Sequence, residues 1–299
     1  TAVGYNSMGS NTTGALNTAV GFNAAYYNTI GSKNTAVGER GLEANTIGDD
    51  NTALGHLSLT GNTTGYSNTG VGSESLKTNT TGTYNNAVGG LALYSNTTGV
   101  KNVAVGNSTL YANTLGMFNV AIGHSSMASS TEGDDNVAVG GLSLYGNKTG
   151  DRNVAIGGEA LYTNTYGDDN VAVGTDALKL NTTGVDNVAI GSNALSSSIV
   201  GGSVAIGWSA LASNTVGLRN VAVGYEALNT NTIGYANTAV GYYALKDNAT
   251  GHSNTAVGRH ANYSNTTGYS NVSIGGDAMS ANTIGSNNTA VGQSALDGN

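Results

Sequence analysis

One phrase of seventeen residues runs through the whole chain. We number its positions from the Asn that opens "NVAIG", which places a Gly at position five of each of eighteen copies, called coils one to eighteen below. Every step between these glycines is seventeen residues except the step of sixteen from Gly191 to Gly207. Repeats of this length are typical of solenoids, in which stacked turns share a core that one turn cannot form alone. We therefore predict a single repeat array over residues 1–299, with one sixteen-residue coil at residues 187–202 that either kinks the array or shortens a loop.

The amino-acid composition argues against a conventional globular domain. The 299 residues include 46 Gly, two Phe and one Trp, with 9% charged residues and neither Pro nor Cys. A globular core of this size needs more large apolar side chains, and a chain without Cys has neither disulfides nor thiolate metal sites. The net charge of −8 argues against nucleic acid as a partner, and no apolar run reaches the roughly 18–20 residues of a membrane span, so we predict no membrane insertion. The chain begins and ends inside a repeat, which suggests a mature product or a piece of a longer protein.

Positions two to five carry Thr or Val, then Ala, then Val or Ile, then Gly, and this pattern predicts a short β-strand. The β-branched residues share one face, whereas Ala and Gly share the other, where invariably small side chains indicate close packing. We expect a second extended stretch in A-L-x-x-N-T-T, or else a single helical turn beginning at "EAL" or "DAL". The glycines at positions five and fifteen suit corners that need a positive φ or a close approach of two backbones.

The energetics require the coils to stack. We expect one coil to bury about three sizeable apolar side chains worth roughly 1.5–3 kcal/mol each, against about 1–2 kcal/mol for ordering each residue. A lone coil is therefore unstable, whereas stacked coils pair their strands and merge their apolar columns. The sequence predicts an all-β protein, a rod-like parallel β-solenoid (β-roll) of about eighteen coils that rise about 4.8 Å each.

Asn fills two columns of the repeat. It holds position one in sixteen of seventeen copies and position twelve in sixteen of eighteen. Stacked Asn side chains can hydrogen-bond along the axis as amide ladders, and eight position-twelve residues also form N-x-T sequons. Glycosylation does not explain the Asn residues that lack a Thr two places on, so we favour ladders. The columns and their corner glycines are represented in the central coils by Asn153, Asn164, Asn170, Asn181, Gly157, Gly167, Gly174 and Gly184.

The phrases "NVAIG", "NVAVG" and "SVAIG", the last at residues 203–207, are each followed after two residues by a small residue. They resemble the head repeats of trimeric autotransporter adhesins, although those repeats are usually shorter. The longer phrase "NTAVGYYALKDNATG" at residues 237–251 resembles seventeen-residue arrays in tail-fibre-like proteins of phages and bacteria. The likeness covers all eighteen copies, and it implies a parallel β-roll, a homotrimer and a place on a bacterial surface or a virion.

Acidic residues gather in two neighbouring columns, at positions sixteen and seventeen of coils eight to eleven. They are Asp134, Asp135, Asp151, Asp168, Asp169 and Asp186. Carboxylates stacked about 4.8 Å apart repel one another unless a cation or an arginine relieves them. Oxygen ligands suit Ca²⁺, which makes these columns a candidate calcium site, and we expect no other cofactor. The alternative is a solvated acidic patch softened by Arg152, which lies in the position-seventeen column.

Aromatic residues form a second candidate site. Trp208, Tyr225 and Tyr242 hold position six of consecutive coils, and Arg259 follows them. Exposed aromatic rows bind the sugar rings of cell-surface glycans in some proteins, and in others they stack and stiffen a rod. The row is therefore a candidate either for ligand binding or for mechanical stiffness.

No arrangement of residues predicts an enzyme, because no Ser, His and acid set converges at one level of the array. We expect a non-enzymatic, extracellular structural fibre or adhesin shaft that holds a binding tip away from a cell or virion. Its copies would associate as a homotrimer or end to end as a filament. The alternatives are a glycan- or surface-binding module and an ice-binding solenoid, the second because Thr holds position thirteen in fourteen of seventeen copies. Lys148, Ile199 and Ala249 interrupt that Thr column.

Overall fold

The computed structural model describes residues 1–298, in which every regular element is a β-strand. The chain divides into two compact units, Thr1–Asp151 and Arg152–Asn299. In each unit every coil contributes one short strand, so the predicted all-β parallel β-solenoid of about eighteen coils is confirmed. Over residues 1–298 the structure contains no helix that could cross a membrane.

The first unit contains nine strands, each paired in parallel with the next one along the chain. Their residues align at a shift of one repeat, so that Val103 lies beside Val120 and Val120 beside Val137. The strands are β1 (Ala2–Val3), β2 (Thr18–Val20), β3 (Thr35–Val37), β4 (Thr52–Leu54), β5 (Thr69–Val71), β6 (Asn86–Val88), β7 (Val103–Val105), β8 (Val120–Ile122) and β9 (Val137–Val139).

The second unit also contains nine strands in the same parallel arrangement. Val154 lies beside Val171 and Ala155 beside Ala172, again one repeat apart. The strands are β10 (Val154–Ile156), β11 (Val171–Val173), β12 (Val188–Ile190), β13 (Val204–Ile206), β14 (Val221–Val223), β15 (Thr238–Val240), β16 (Thr255–Val257), β17 (Val272–Ile274) and β18 (Thr289–Val291).

Glycine is required at two positions of the coil: position five, directly after the strand, and position fifteen. At position five, Gly157 has φ +130°, a conformation that side chains disfavour, and a Cβ there would lie 2.7 Å from the carbonyl of Gly174 in the next coil. At position fifteen only the second reason applies. Gly167 does not have this positive φ, but a Cβ would collide with the carbonyl oxygen of Gly184 and with Oδ1 of Asn164. Close backbone approach is therefore the requirement that both glycine columns share.

Within residues 1–298, the second strand that we expected in A-L-x-x-N-T-T is absent, and so is the alternative helical turn. Positions six to eleven form turns instead, as at residues 158–163. Glu159 at position seven and Leu161 at position nine have φ of 56° and 53°, and Asp169 at position seventeen has 57°. Isolated left-handed residues interrupt both strands and helices, which is why the expectation from local pattern was wrong.

The core consists of smaller side chains than we expected. The fully buried apolar residues of a typical coil are Ala at position three, a small residue at position eight and Leu at position nine, as in Ala172, Ala177 and Leu178. The β-branched residues at position four point outward, and Ile156 and Ile190 are 40% and 39% exposed. The expectation of about three sizeable buried apolar side chains per coil was therefore wrong, because the strand turns its Ala face inward.

The sixteen-residue coil shortens a loop. Strands β12 and β13 keep their register, with Val188 beside Val204. The difference lies in the following loop, where Gly202 adopts φ +77°. There the carbonyl of Val200 accepts the hydrogen bond that Asn187 donates at 2.9 Å, a bond that a position-fifteen Gly accepts in the regular coils. The missing residue is thus absorbed locally, without loss of strand pairing.

Candidate functional site

The Asn residues at position one form a buried hydrogen-bonded column within each unit. In the second unit, Asn170 donates both its backbone N–H and its side-chain amide to Oδ1 of Asn153, at 3.1 Å each. The same amide also donates to the carbonyl of Gly184 at 2.8 Å. Asn187 repeats these contacts on Asn170 at 3.1 Å. Each amide therefore joins two coils and closes its own coil at the same time.

The Asn residues at position twelve form a second column. Asn181 donates to Oδ1 of Asn164 at 2.9 Å and to the carbonyl of Gly184 at 3.0 Å. The carbonyl of Gly184 thus accepts amides from both columns, which explains why a side chain is excluded at position fifteen. The sequon residues Asn62 and Asn265 are fully buried in this column. Their burial is consistent with a structural role and leaves no room for an attached glycan.

The position-twelve column is broken where Ser130 replaces Asn. Ser130 is fully buried and its Oγ has no hydrogen-bond partner, and Oδ1 of Asn113 in the preceding coil has none either. We expect Ser130→Asn to satisfy the Asn113 oxygen and to stabilise the fold by about 1–3 kcal/mol, because an unpaired buried polar atom costs about that much. Chemical denaturation measures the effect. Ser129→Asn is the control, since Ser129 lies outside the column, and a Ser130→Asn chain no more stable than wild type would contradict the interpretation.

The acidic columns cap backbone groups. The carboxylate of Asp134 accepts the N–H of Met117 in the preceding coil at 2.7 Å, and that of Asp151 accepts the N–H of Asp134 at 2.8 Å. Asp49 does the same for Ser32 at 2.7 Å. A carboxylate at position sixteen is therefore stabilised by a backbone donor of the preceding coil, which offsets the repulsion within the column.

The other acidic candidates are arranged differently. Arg152 holds Asp169 with two hydrogen bonds of 2.7 and 2.8 Å, while Asp135 and Asp186 are exposed residues with φ of 56° and 58°. Asp168, at position sixteen of coil ten, is half-buried. Across residues 1–298, no three His, Asp or Glu side chains come together as a metal site requires. The calcium site stays a prediction, and backbone N–H groups and Arg152 partner the carboxylates of Asp134, Asp151 and Asp169.

Arginine partners lower the pKa values of two carboxyls. Hydrogen bonding from Arg152 holds the pKa of Asp169 below its ordinary value, and hydrogen bonding from Arg259, at 2.7 Å, does the same for the pKa of Asp277. A carboxyl whose pKa is lower in the folded state contributes stability that is present above its ordinary pKa. That contribution is lost as the pH falls through the lowered value.

We expect Arg259→Gln to raise the pKa of Asp277 toward the ordinary value of an aspartate, because the charged hydrogen bond is removed. The titration of the Asp277 carboxyl by NMR measures the change. The carboxyl of Asp169 serves as the internal control, since its arginine partner is untouched. An unchanged pKa of Asp277 would contradict the assignment.

The predicted aromatic row is stacked ring on ring. Trp208 and Tyr225 lie 4.9 Å apart between ring centroids, and Tyr225 and Tyr242 lie 5.4 Å apart, with interplanar angles of 18° in both pairs. Arg259 continues the column in sequence but pairs with Asp277. Both faces of the middle ring, Tyr225, are covered by its neighbours, so this ring exposes mainly its edges, whereas sugar rings stack on faces. The geometry favours the stiffening interpretation of this row.

A neighbouring aromatic cluster was missed by sequence reasoning. The ring centroids of Tyr242 and Tyr243 lie 4.1 Å apart. A side-chain hydrogen bond between the two residues raises the pKa of Tyr243 to about 12. Lys246 sits over the Tyr243 ring at 4.3 Å. A surface cavity of about 330 Å³ adjoins the cluster and is lined by Tyr243, His260, Tyr263, Ser264, Ser280 and Ala281. The adjacent pair Tyr242 and Tyr243 was the signal in the sequence.

A second stacked row at position sixteen was also missed. Tyr235 and His252 lie 4.7 Å apart with an interplanar angle of 3°, and His252 and Tyr269 lie 5.1 Å apart at 11°. A cavity of about 250 Å³ lies at the Tyr235 end of this row. The spacing of one repeat between the three residues makes the row readable from sequence once position sixteen is followed across coils.

The outward face of the strands is apolar or uncharged throughout. Positions two and four carry Thr, Val, Ile, Leu or Asn in every coil and no charged residue. We call this surface the strand face. In the second unit it includes Val171, Val188 and Ile190, and the position-four residues are about two-fifths exposed, as Ile190 and Ile206 show at 39% and 37%. Large contiguous apolar surfaces are uncommon on monomeric proteins and are often used in protein association.

The Thr residues at position thirteen use their hydroxyls within the fold. Thr165 donates to the carbonyl of Thr182 at 2.9 Å, and Thr46 donates to that of Thr63 at 3.0 Å. These bonds join neighbouring coils in the same way as the Asn columns. The repetition of Thr is thereby explained by structure, without an ice-binding role.

Comparison with known proteins yielded neither a matching family model nor a matching curated protein.

Proposed function

We propose that this chain is a non-enzymatic structural segment of an extracellular fibre or adhesin shaft, on a cell surface or a virion, and that its copies associate through the strand face. The observation that carries the proposal is the uncharged, β-branched strand face described above. The resemblance to trimeric adhesin heads and to tail-fibre arrays supports the same conclusion.

Sheet physics supports association through this face. Purely parallel sheets are normally covered on both faces, and here the turns cover only the inner Ala face of the strands. A second layer of protein would bury the outer Val and Ile side chains and supply the missing cover. Three copies around a common axis would do so in a closed arrangement that leaves no strand face exposed, and closed symmetry is the usual form of a homo-oligomer.

The hydrogen-bond columns suit a load-bearing role. Asn amides, Thr hydroxyls and parallel strands join each coil to the next within a unit. Stretching such an array requires many buried bonds to break together. A spacer that holds a binding tip at a distance needs this property, and it needs no catalytic group.

Light scattering of the purified chain tests the proposal. We expect a mass near 90 kDa, about three times the 29.8 kDa of one chain. A mass near 30 kDa would overturn the trimer, and large polymers would favour the end-to-end filament.

A matched pair of variants tests the surface itself. Ile190→Lys places a charge on the strand face, so we expect the trimer to dissociate while the circular dichroism keeps its β-sheet form. Leu180→Lys changes an apolar residue at position eleven that is somewhat more exposed, 47% against 39% for Ile190, and lies outside the strand face, so it should leave the mass unchanged. If both variants stayed trimeric, another surface would mediate the association.

A further inference from the structure

An open cavity of about 250 Å³ lies between coils thirteen and fourteen of the second unit. It is lined by Val216, Leu218, Arg219, Ile233, Tyr235 and Ala236. The walls are apolar apart from one cation and one phenol. Pockets for drug-sized ligands start at about 300 Å³, so this cavity suits a single ring.

Arg219 differs from the other arginines of the chain. Three of the four arginines hold a carboxylate at 2.7 Å: Arg40 with Glu43, Arg152 with Asp169, and Arg259 with Asp277. Arg219 makes no ion pair or hydrogen bond to any residue that the structure describes. In a chain with a net charge of −8, the guanidinium at this cavity is therefore available to an incoming anion.

The repeat itself shows where a carboxylate fits. At position sixteen elsewhere, a carboxylate of the following coil takes the backbone N–H, as Asp134 does for Met117 at 2.7 Å. Leu218 occupies position sixteen at the cavity, and position sixteen of the following coil is Tyr235, which has no carboxylate. The N–H of Leu218 has no acceptor within residues 1–298. The donor that an aspartate satisfies in other coils is thus open next to Arg219.

Tyr235 supplies a ring face to the same cavity. His252, one coil further on, covers one face of Tyr235 at 4.7 Å between centroids. Tyr235 lines the cavity together with Leu218 and Arg219 of coil thirteen, and no second ring stacks on it within residues 1–298. Unlike the rings inside a stacked row, this end ring offers a face on which the C–H groups of a sugar can pack.

We propose that this cavity binds a carboxylated pyranose, such as the uronic acid residue of an acidic glycan. The carboxylate lies between the Arg219 guanidinium and the Leu218 N–H, where charge-assisted hydrogen bonds hold it. The sugar ring packs against the open face of Tyr235 and against Val216 and Ile233. The site does not depend on the proposed trimer, because its lining residues belong to one chain.

Calorimetry and saturation-transfer NMR on the full chain test the proposal, with methyl glucuronide and methyl glucoside as probes that differ only in the carboxylate. We expect saturable binding of the glucuronide, and at least tenfold weaker binding of the glucoside. Arg219→Gln should weaken glucuronide binding at least tenfold. Arg40→Gln removes an arginine that is already paired and should leave it unchanged.

Tyr235→Asp provides an independent test. The new carboxylate should cap the Leu218 N–H as Asp134 caps Met117, and it should compete for Arg219. We expect this variant to lose glucuronide binding while its thermal midpoint is equal to or higher than that of wild type. Absence of saturable binding to wild type, equal binding of the two probes, or full binding by either a folded Arg219→Gln or a folded Tyr235→Asp chain would overturn the proposal.

Discussion

Gly157→Ala is expected to destabilise the fold by about 4 kcal/mol or more, enough to abolish cooperative folding of the surrounding coils. Gly157 has φ +130°, and a Cβ there would lie 2.7 Å from the backbone carbonyl of Gly174. Neither strain can be relieved by a side-chain movement, because both the φ and the collision belong to the backbone. Chemical denaturation followed by circular dichroism measures the loss.

The neighbouring Gly158 provides the control for this substitution. It does not have the left-handed φ of Gly157, and a Cβ there would meet nothing within 4 Å. We expect Gly158→Ala to change the free energy of unfolding by no more than about 1 kcal/mol, in the stabilising direction, because Ala restricts the unfolded chain. Equal effects of the two substitutions would mean that the coils are not stacked as described.

Asn170→Ala is expected to cost about 3 kcal/mol or more. The substitution removes the oxygen that accepts two hydrogen bonds of 3.1 Å from Asn187, and it removes the amide that donates to Gly184 at 2.8 Å. The Asn187 donors and the Gly184 carbonyl that lose their partner are buried, so water does not replace it. The cavity left by the side chain adds to the loss of unfolding free energy.

Asn107→Ala is the matched control for the ladder. Asn107 is exposed and makes two solvent-exposed side-chain hydrogen bonds: its amide donates to the carbonyl of Gly90 at 3.3 Å, and its Oδ1 accepts the hydroxyl of Ser108 at 3.0 Å. We expect a change within about 0.5 kcal/mol. Should Asn170→Ala prove equally mild, the column would be filling space and contributing little hydrogen-bond energy. Unfolding curves of the two variants at one protein concentration decide between these outcomes.

The stacking of coils could be predicted because it follows from the period alone. The recurrence of Gly157 as Gly174 and of Asn153 as Asn170 indicates that like residues meet, and the register of β10 with β11 confirms it. Parallel strands one repeat apart hydrogen-bond each other's backbone groups, so the pairing partner of each strand follows from the repeat length alone. The fold class therefore required only local pattern and the cost of leaving one coil alone.

The exposure of the Val and Ile strand face and the backbone conformation of the turn could not be predicted in the same way. Alternation placed Val154 and Ile156 on one face and Ala155 on the other, and the small residues correctly indicated close packing on the Ala face, but the pattern did not show that the Val and Ile face would stay exposed. The left-handed residues Glu159 and Leu161 belong to types that rarely adopt this conformation. Their φ values are imposed by the bonds to neighbouring coils, which local propensity does not contain.

The candidate sites show a similar division. Following position six across coils correctly brought Trp208 and Tyr225 together, and following position sixteen would have brought Tyr235 and His252 together. The open cavity beside Arg219 could not be predicted by following one repeat position from coil to coil. It depends on which donors lack an acceptor, and that requires coordinates.

The offset of one repeat between paired strands allows the length of the array to change while its architecture stays the same. Since each strand meets only the strands one repeat before and after it, the gene can gain or lose seventeen codons at a time while the remaining neighbours keep the same contacts. Unequal crossing-over between near-identical repeats supplies such steps readily. Selection can therefore change the number of coils rapidly, whereas the surface residues of any one coil change by ordinary point substitution.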